Sequence, residues 1–486
     1  MVNKTLYRYS ILLLATVSLP CSSAYADKLP WLEDPFGGRD KIAAYGNNLK
    51  PLTCPAIPKD KKQFTLNETV IISLCHNPST RAAYIGLLSS ADSFAANYSR
   101  YLPTVTATAA ATRSGSFSKN SKNTSISNST GLSAGVTLYD FGQREFTIEA
   151  AEYTLAAAGY TYDSTLQGAI STAISGYYNL LNAQNALEVA LESQKFARES
   201  FEAAELRHSV GLVPLADKLQ AKVTYSQSDL SVQQAENSLS ISRASLAQIM
   251  GLGADSNISV AEIDDSNLLT DPFGGEVKEL IELAKAKRVD LAASRASLEG
   301  ARTSLKALKR SNLATVSASV NSGFDDLKVF NSATTRSQSI GISVSVPIFT
   351  GFTQTYNTRI AENNIKAQEE NLESAELGVE RDVWNAWHNY NTAKRSWETS
   401  WDQLASATQL RDVALGRYKE GIGTILDVLS AQSSYRSALQ SHLSTRLSLL
   451  TSRVDLIRAV GALNLDTIEE ETASSSVAPA NTILLD

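Results

Sequence analysis

The sequence predicts a mainly α-helical protein with a β-barrel part, built as two similar halves that each carry a β-hairpin and very long helices. Three observations predict it. The stretch Arg207 to Ala221 returns as Arg417 to Ala431, with Arg, Gly, Asp, Leu and Ala at the same spacing and a constant offset of 210 residues, as between Gly211 and Gly421. Proline is absent from two equal runs rich in Ala, Leu, Glu and Gln, 143 to 208 and 353 to 418. Ahead of each run lie segments in which apolar and small polar residues alternate with period two.

The offset holds well outside the turn motif. It pairs Tyr225 with Tyr435, Leu239 with Leu449, Leu246 with Leu456 and Gly251 with Gly461, and upstream it pairs Ala151-Glu152 with Ala361-Glu362. The chain therefore reads as a duplication whose unit is too long for a solenoid repeat of about 20 to 50 residues.

Taken in order, residues 1–26 read as an export signal. Lys4 and Arg8 give a basic start, Ile11 to Leu19 an apolar core, and Ala24-Tyr25-Ala26 a small-x-small cleavage site before Asp27. Lipid attachment at Cys21 is the alternative, disfavoured because Pro20 stands where a small residue is wanted. Residues 27–63 form an N-terminal extension rich in Pro, Gly and Lys. The first repeat follows over 64–252, with strands at about 102–112 and 131–140. A linker covers 253–275, and the second repeat covers 276–465, with strands at about 313–324 and 338–349. The tail 466–486, rich in Ser and Ala, is expected to be mobile. Asp34-Pro35-Phe36-Gly37-Gly38 recurs as Asp271-Pro272-Phe273-Gly274-Gly275, either as an equivalent turn or by coincidence.

The strands show one apolar and one small polar face, as in Ser339-Ile340-Gly341-Ile342-Ser343-Val344. The loops between them, Ser114 to Thr130 and Asp325 to Ser337, are rich in Ser and Asn and favour water. Tyr101, Tyr139, Phe141, Phe324, Phe349 and Phe352 gather at strand ends, as aromatic girdles do in outer-membrane barrels; a soluble sandwich edge would alternate likewise, but the export signal favours the barrel. No stretch beyond the signal has the roughly 20 apolar residues of a spanning helix, so membrane insertion would use strands. Four strands cannot close a barrel, which takes about 8, so several copies of the chain must contribute to one. Each proline-free run, at about 1.5 Å per residue, makes a rod of roughly 100 Å suited to side-by-side packing with other helices.

Composition excludes other classes. A net charge of −6 argues against a nucleic-acid partner, and the four histidines show no metal-ligand spacing. No nucleophile elbow, phosphate loop or metal cluster supports an enzyme, and no cofactor is expected. Cys54 and Cys75 are the only cysteines left after cleavage. In an oxidising periplasm they are expected to form a disulfide that pins the extension to the first helix.

Together these features resemble the outer membrane efflux protein (TolC) family, from about Leu66 to Leu463. The most specific elements are Tyr101-Leu102-Pro103, Leu138-Tyr139-Asp140-Phe141-Gly142, Pro347-Ile348-Phe349-Thr350-Gly351, Val210-Gly211-Leu212 and Glu420-Gly421-Ile422. The resemblance implies a homotrimer with a 12-stranded β-barrel in outer-membrane lipid, continued by a periplasmic α-helical tunnel. It implies passive export in a tripartite system with a periplasmic adaptor (membrane fusion) protein and an inner-membrane ABC or resistance-nodulation-division transporter, for type I protein secretion or drug efflux. The rival reading, a secreted or surface coiled-coil adhesin, would not need two period-two hairpins at matching places.

Gly211, Leu212, Gly421 and Ile422 are the expected adaptor-docking tips: glycine permits the reversal, and an apolar neighbour would stand exposed at the tunnel end. Asp217, Tyr418 and Asp427 are the expected periplasmic gate. The resemblance implies a polar link of Tyr418 to Asp217 and carboxylates repeated around the tunnel axis. A second link is missing, because Gly423 replaces a basic residue and Ala216 a hydroxyl; Ser430 replaces a second acidic residue. A more loosely held gate is expected.

Overall fold

The computed structural model describes residues 34–44, 54, 63–118, 121–263, 273–328 and 333–464. The export signal, the tail from 466 and the middle of the linker, 264–272, lie outside the described residues.

The first half runs β1 (Gln63–Phe64), α1 (Leu66–His76), α2 (Pro78–Tyr98), β2 (Thr104–Ser118), β3 (Ser121–Tyr139), α3 (Gln143–Ser209) and α4 (Leu215–Ile249). The second runs β4 (Ser259–Val260), α5 (Val277–Lys287), α6 (Val289–Arg310), β5 (Thr315–Lys328), β6 (Ala333–Ser345), α7 (Thr353–Lys419) and α8 (Ile425–Ala459). α3 and α7 each have 67 residues, roughly 100 Å of helix, while α4 and α8 each have 35. Each long helix packs along its successor, and α8 also lies against α3.

β2, β3, β5 and β6 form one antiparallel sheet in that order. Residues directly opposite in a pleated sheet share a face, so the register decides what each face presents. Val105 pairs with Ala134, Ala134 with Val320 and Val320 with Ile340; Val136 pairs with Ala318 and Ala318 with Ile342. All of these fall on one face. The other carries Thr106, Ser133, Asn321 and Ser339 in one row and Gly135, Ser319 and Gly341 in another. A β-bulge between Thr137 and Tyr139 shifts the β3–β5 register just before its last pair, Tyr139 with Val316.

Towards the hairpin ends the strands run further than alternation predicted, while near the rods β6 stops at Ser345, short of 349. Pairing continues through Ser118 opposite Ser121 and Leu327 opposite Ala333, so most of the expected loops 114–130 and 325–337 is strand. The physical reason is that ladder hydrogen bonds come from the backbone; a run of Ser, Asn and Thr pairs as readily once the apolar base has set the register. β2 and β6 each keep one edge unpaired among the described residues.

Strand meets rod through two successive left-handed residues in each half: Phe141 (φ 53°) with Gly142 (φ 88°), and Gly351 (φ 61°) with Phe352 (φ 64°). In the first half Arg144 fastens the joint. It pairs with Asp140 at 2.8 Å, both side chains about nine-tenths buried, and donates to the carbonyls of Thr137 at 2.8 Å and Arg100 at 3.3 Å.

The main core lies midway along the rods. There Leu166, Ile170, Tyr177 and Leu180 of α3 meet Val379, Val383 and Tyr390 of α7, the ends of α4 and α8, α1 and α5. The linker supplies β4, which runs parallel to β1, and Tyr177 donates to the Ala261 carbonyl at 2.7 Å. Cys54 is disulfide-bonded to Cys75 of α1, with Cα atoms 5.5 Å apart. Upstream, Asp34 accepts from the backbone of Gly38 and Arg39, and the segment returns to the sheet base through Arg39–Asp92 (3.0 Å) and Lys41–Glu152 (2.8 Å). The two recurring Pro/Gly turns share a left-handed glycine, Gly37 and Gly274, but sit apart: Phe36 packs on Tyr98, whereas Phe273 packs on the main core.

Candidate functional site at the helix turns

Four helices end the same way. Gly211, Gly251, Gly421 and Gly461 all have positive φ just past α3, α4, α7 and α8. In each case the next residue donates back to a carbonyl five positions earlier, as Leu212 to Arg207 at 2.9 Å and Ile422 to Arg417 at 3.0 Å. This is the Schellman closure, which satisfies helix-end carbonyls and normally packs its following apolar residue inward. Leu252 and Ala462 do pack on the core. Leu212 and Ile422 do not: they are 75% and 71% exposed, flanked by exposed Val210, Leu215 and Leu426. Both far turns thus project an apolar residue whose usual intramolecular seat is empty, next to glycines whose added Cβ would meet nothing within 4 Å.

The two turns differ in how their first-turn acids are used. Asp427 closes a capping box with Thr424, accepting from the Thr424 backbone N–H at 3.1 Å and its hydroxyl at 2.8 Å. Those hydrogen bonds, with a contribution from Arg417, hold its carboxyl below the usual carboxylate range. Asp217 stands three residues after Pro214, which offers no side-chain cap, and its own carboxylate has no hydrogen-bond or ion-pair partner among the described residues. Tyr418 is 8% exposed, packed with Ile425, Val428 and Leu429 and with Phe196 of α3. Its hydroxyl is buried and without a hydrogen-bond partner. Within one chain, then, Tyr418 and Asp217 each present an unused polar group and are not hydrogen-bonded to each other.

Sequence reasoning missed two residues here. Thr424 was findable, since a threonine three residues before an aspartate at a helix start is a capping signature. Arg207, whose guanidinium lies 4.2 Å from the Tyr418 ring centroid, served the sequence reading only as a marker of the repeat.

A four-stranded sheet apolar on one face, carried on rods of this length, defines a class of envelope channel. The chain belongs to the outer membrane efflux protein family, whose model matches residues 72–252 and 280–462. Protein CyaE of Bordetella pertussis is 25% identical over 426 residues, covering 86% of this chain and 88% of that one. Outer membrane protein TolC of Escherichia coli is 25% identical over 353 residues, 70% of each chain. In fold, the chain resembles the CmeC outer membrane channel of Campylobacter jejuni, with a TM-score of 0.72 at 18% identity over 89% of this chain and 97% of that one. It is an outer-membrane protein of the efflux channels, extending into the periplasm.

Proposed function

We propose that the chain is the exit duct of a tripartite export system: a homotrimer whose three sheets close a 12-stranded barrel in the outer membrane and whose rods form a periplasmic tunnel. The observation that carries this is the sheet. Its apolar side chains are brought by register onto one face, Ile340, Ile342 and Val344 are exposed there, and both edges are bare. In hydrocarbon an unpaired edge is not tolerated, so the edges must be closed by other copies. The small polar face then lines an aqueous lumen.

The duct is passive. An inner-membrane ABC or resistance-nodulation-division transporter and a periplasmic adaptor select and drive the cargo, in type I protein secretion or drug efflux. The adaptor seats on Leu212 and Ile422, and Asp217, Tyr418 and Asp427 form the gate. The mature chain starts at Asp27, with the extension, two repeats and tail at the bounds read from the sequence.

A matched pair of charges tests the barrel. Ile342→Arg puts a charge on the lipid face, at a cost of about 2 to 4 kcal/mol near the midplane, whereas Ser343→Arg points it into water. The expected result is loss of outer-membrane insertion and of heat-modifiable oligomer for Ile342→Arg alone; equal behaviour of the two variants refutes the assignment of faces. Crosslinking at Leu212 and Ile422 identifies the adaptor, and the transporter that co-purifies assigns the cargo class.

A further inference from the structure

One side-chain contact at the far end of the rods runs from the first half of the chain to the second. Arg207, in the last turn of α3, lies over the ring of Tyr418, in the last turn of α7, at 4.2 Å. Arg207 is half-buried and has no ion pair among the described residues, so the aromatic face is its one strong partner. Tyr418 is held below by Ile425, Val428 and Leu429 of its own helix pair, and Phe196 of α3 packs beside that cluster. Phe196 and Arg207 are eleven residues apart on α3, about three turns, and so share the face turned towards α7 and α8.

In the α7–α8 turn the position of Gly423 is tightly packed. A Cβ at Gly423 would lie 3.1 Å from the Tyr418 backbone nitrogen and 3.2 Å from the carbonyl carbon and Cβ of Arg417. Arg417, which occupies in the second half the place of Arg207 in the first, acts on Asp427 of its own turn. The contact is therefore one-sided: a cation from the first turn, a ring from the second.

We infer that Arg207 is the cation that latches the α3–α4 turn to the α7–α8 turn, acting on Tyr418 through its ring and not its hydroxyl. Any movement that carries the end of α7 away from α3 breaks this contact. Arg207 is thus a positioning residue for the gate, and its effect on conduction rests on the channel reading above.

The latch predicts a pattern across four variants. Arg207→Gln removes the cation, Tyr418→Leu removes the ring, Arg207→Lys keeps a cation, and Tyr418→Phe keeps the ring while deleting the hydroxyl. Hydrogen–deuterium exchange of backbone amides 419–424 in the purified protein should rise about two- to thirty-fold in Arg207→Gln and Tyr418→Leu, the range a cation–π contact spans, and much less in Arg207→Lys and Tyr418→Phe. The double variant Arg207→Gln/Tyr418→Leu should add nothing beyond Tyr418→Leu alone, which also loses the packing of the ring. Single-channel conductance in planar bilayers should rise in Arg207→Gln and be restored in Arg207→Lys. Exchange in Arg207→Gln equal to that of the unaltered protein, or Arg207→Lys behaving as Arg207→Gln, overturns the latch. An unaltered protein that shows no conductance tells against the channel reading, and exchange still decides the latch.

Discussion

Gly211 and Gly251 have nearly the same backbone, φ 78° and 72°, and close their helices with the same hydrogen bonds, yet alanine at each should have very different effects. Any non-glycine residue in the left-handed region costs about 1 to 2 kcal/mol. At Gly211 nothing more is added, because a Cβ there meets no atom within 4 Å. At Gly251 a Cβ would lie 2.5 Å from the His76 carbonyl oxygen and 2.8 Å from its carbon, so the junction of α1 with α2 must move by about 1 Å to restore ordinary contact. That junction holds the end of α4 through Ser73 Oγ and Asn77 Nδ2, which both donate to the Ile249 carbonyl at 3.1 and 3.0 Å. Losing both, at about 0.5 to 1.5 kcal/mol each, brings the total for Gly251→Ala to about 2 to 5 kcal/mol. Gly461→Ala, whose Cβ meets Arg288 at 3.1 Å, should fall between the two. Denaturant melts in detergent followed by far-UV circular dichroism rank the three. Coincident midpoints for Gly211→Ala and Gly251→Ala would refute the argument that crowding, and not backbone conformation, sets the cost.

Bulky residues at Gly211 or Gly421 should abolish export while leaving the oligomer assembled; normal export from both variants removes the docking role. Cys54→Ser or Cys75→Ser should destabilise the protein by roughly 3 kcal/mol, as expected for a loop of about 20 residues, and a non-reducing mass spectrum of the unaltered protein should show neither thiol free. The depressed pKa of Asp427 means its cap stabilises the turn above the ordinary carboxylate value of about 4 and that this support is lost as pH falls through the lower folded value. Amide exchange at the second turn should therefore show an acid limb that Thr424→Val reduces, since the variant keeps the Thr424 backbone N–H and loses the hydroxyl, and a limb of unchanged size removes the hydroxyl's part in the cap. The link of Tyr418 to Asp217 that the family resemblance implies is absent within one chain; if it forms between neighbouring copies, Tyr418→Phe and Asp217→Ala should each raise single-channel conductance, and no change in either leaves Tyr418 with its ring contact alone and Asp217 with only its place in the first turn of α4.

The rods were legible because two signals coincide: no proline within, and a glycine at the position where each helix must turn left-handed. That is why Gly211 and Gly421 mark the ends of α3 and α7. The apolar half of each strand was legible from alternation around Val105, Val320 and Ile342. Its polar half was not, since Ser114 to Ser118 and Ser121 to Thr130 pair by backbone and their side chains carry no periodic signal. β1 and β4 were unreadable for a related reason: a two-residue parallel pair has no period, and β4 lies in what reads as linker. At the turns, the glycines and exposed apolar residues follow from local rules. The contrast between capped Asp427 and bare Asp217, and the seat of Tyr418 under Arg207, depend on which helix lies alongside, which no local pattern encodes.

The bare edges of β2 and β6 have a consequence for the life of the chain before it is in place. A folded single copy cannot dissolve in hydrocarbon, and two such edges in water invite pairing with any extended strand. On the barrel reading proposed above, membrane entry waits on encounter with other copies, so its rate should climb steeply with the amount of chain in the periplasm and fall away at low expression. Until then a lone copy leaves Ile340, Ile342 and Val344 exposed beside the bare edges, so on that reading the same encounter that permits insertion also covers the surfaces most prone to wrong pairing.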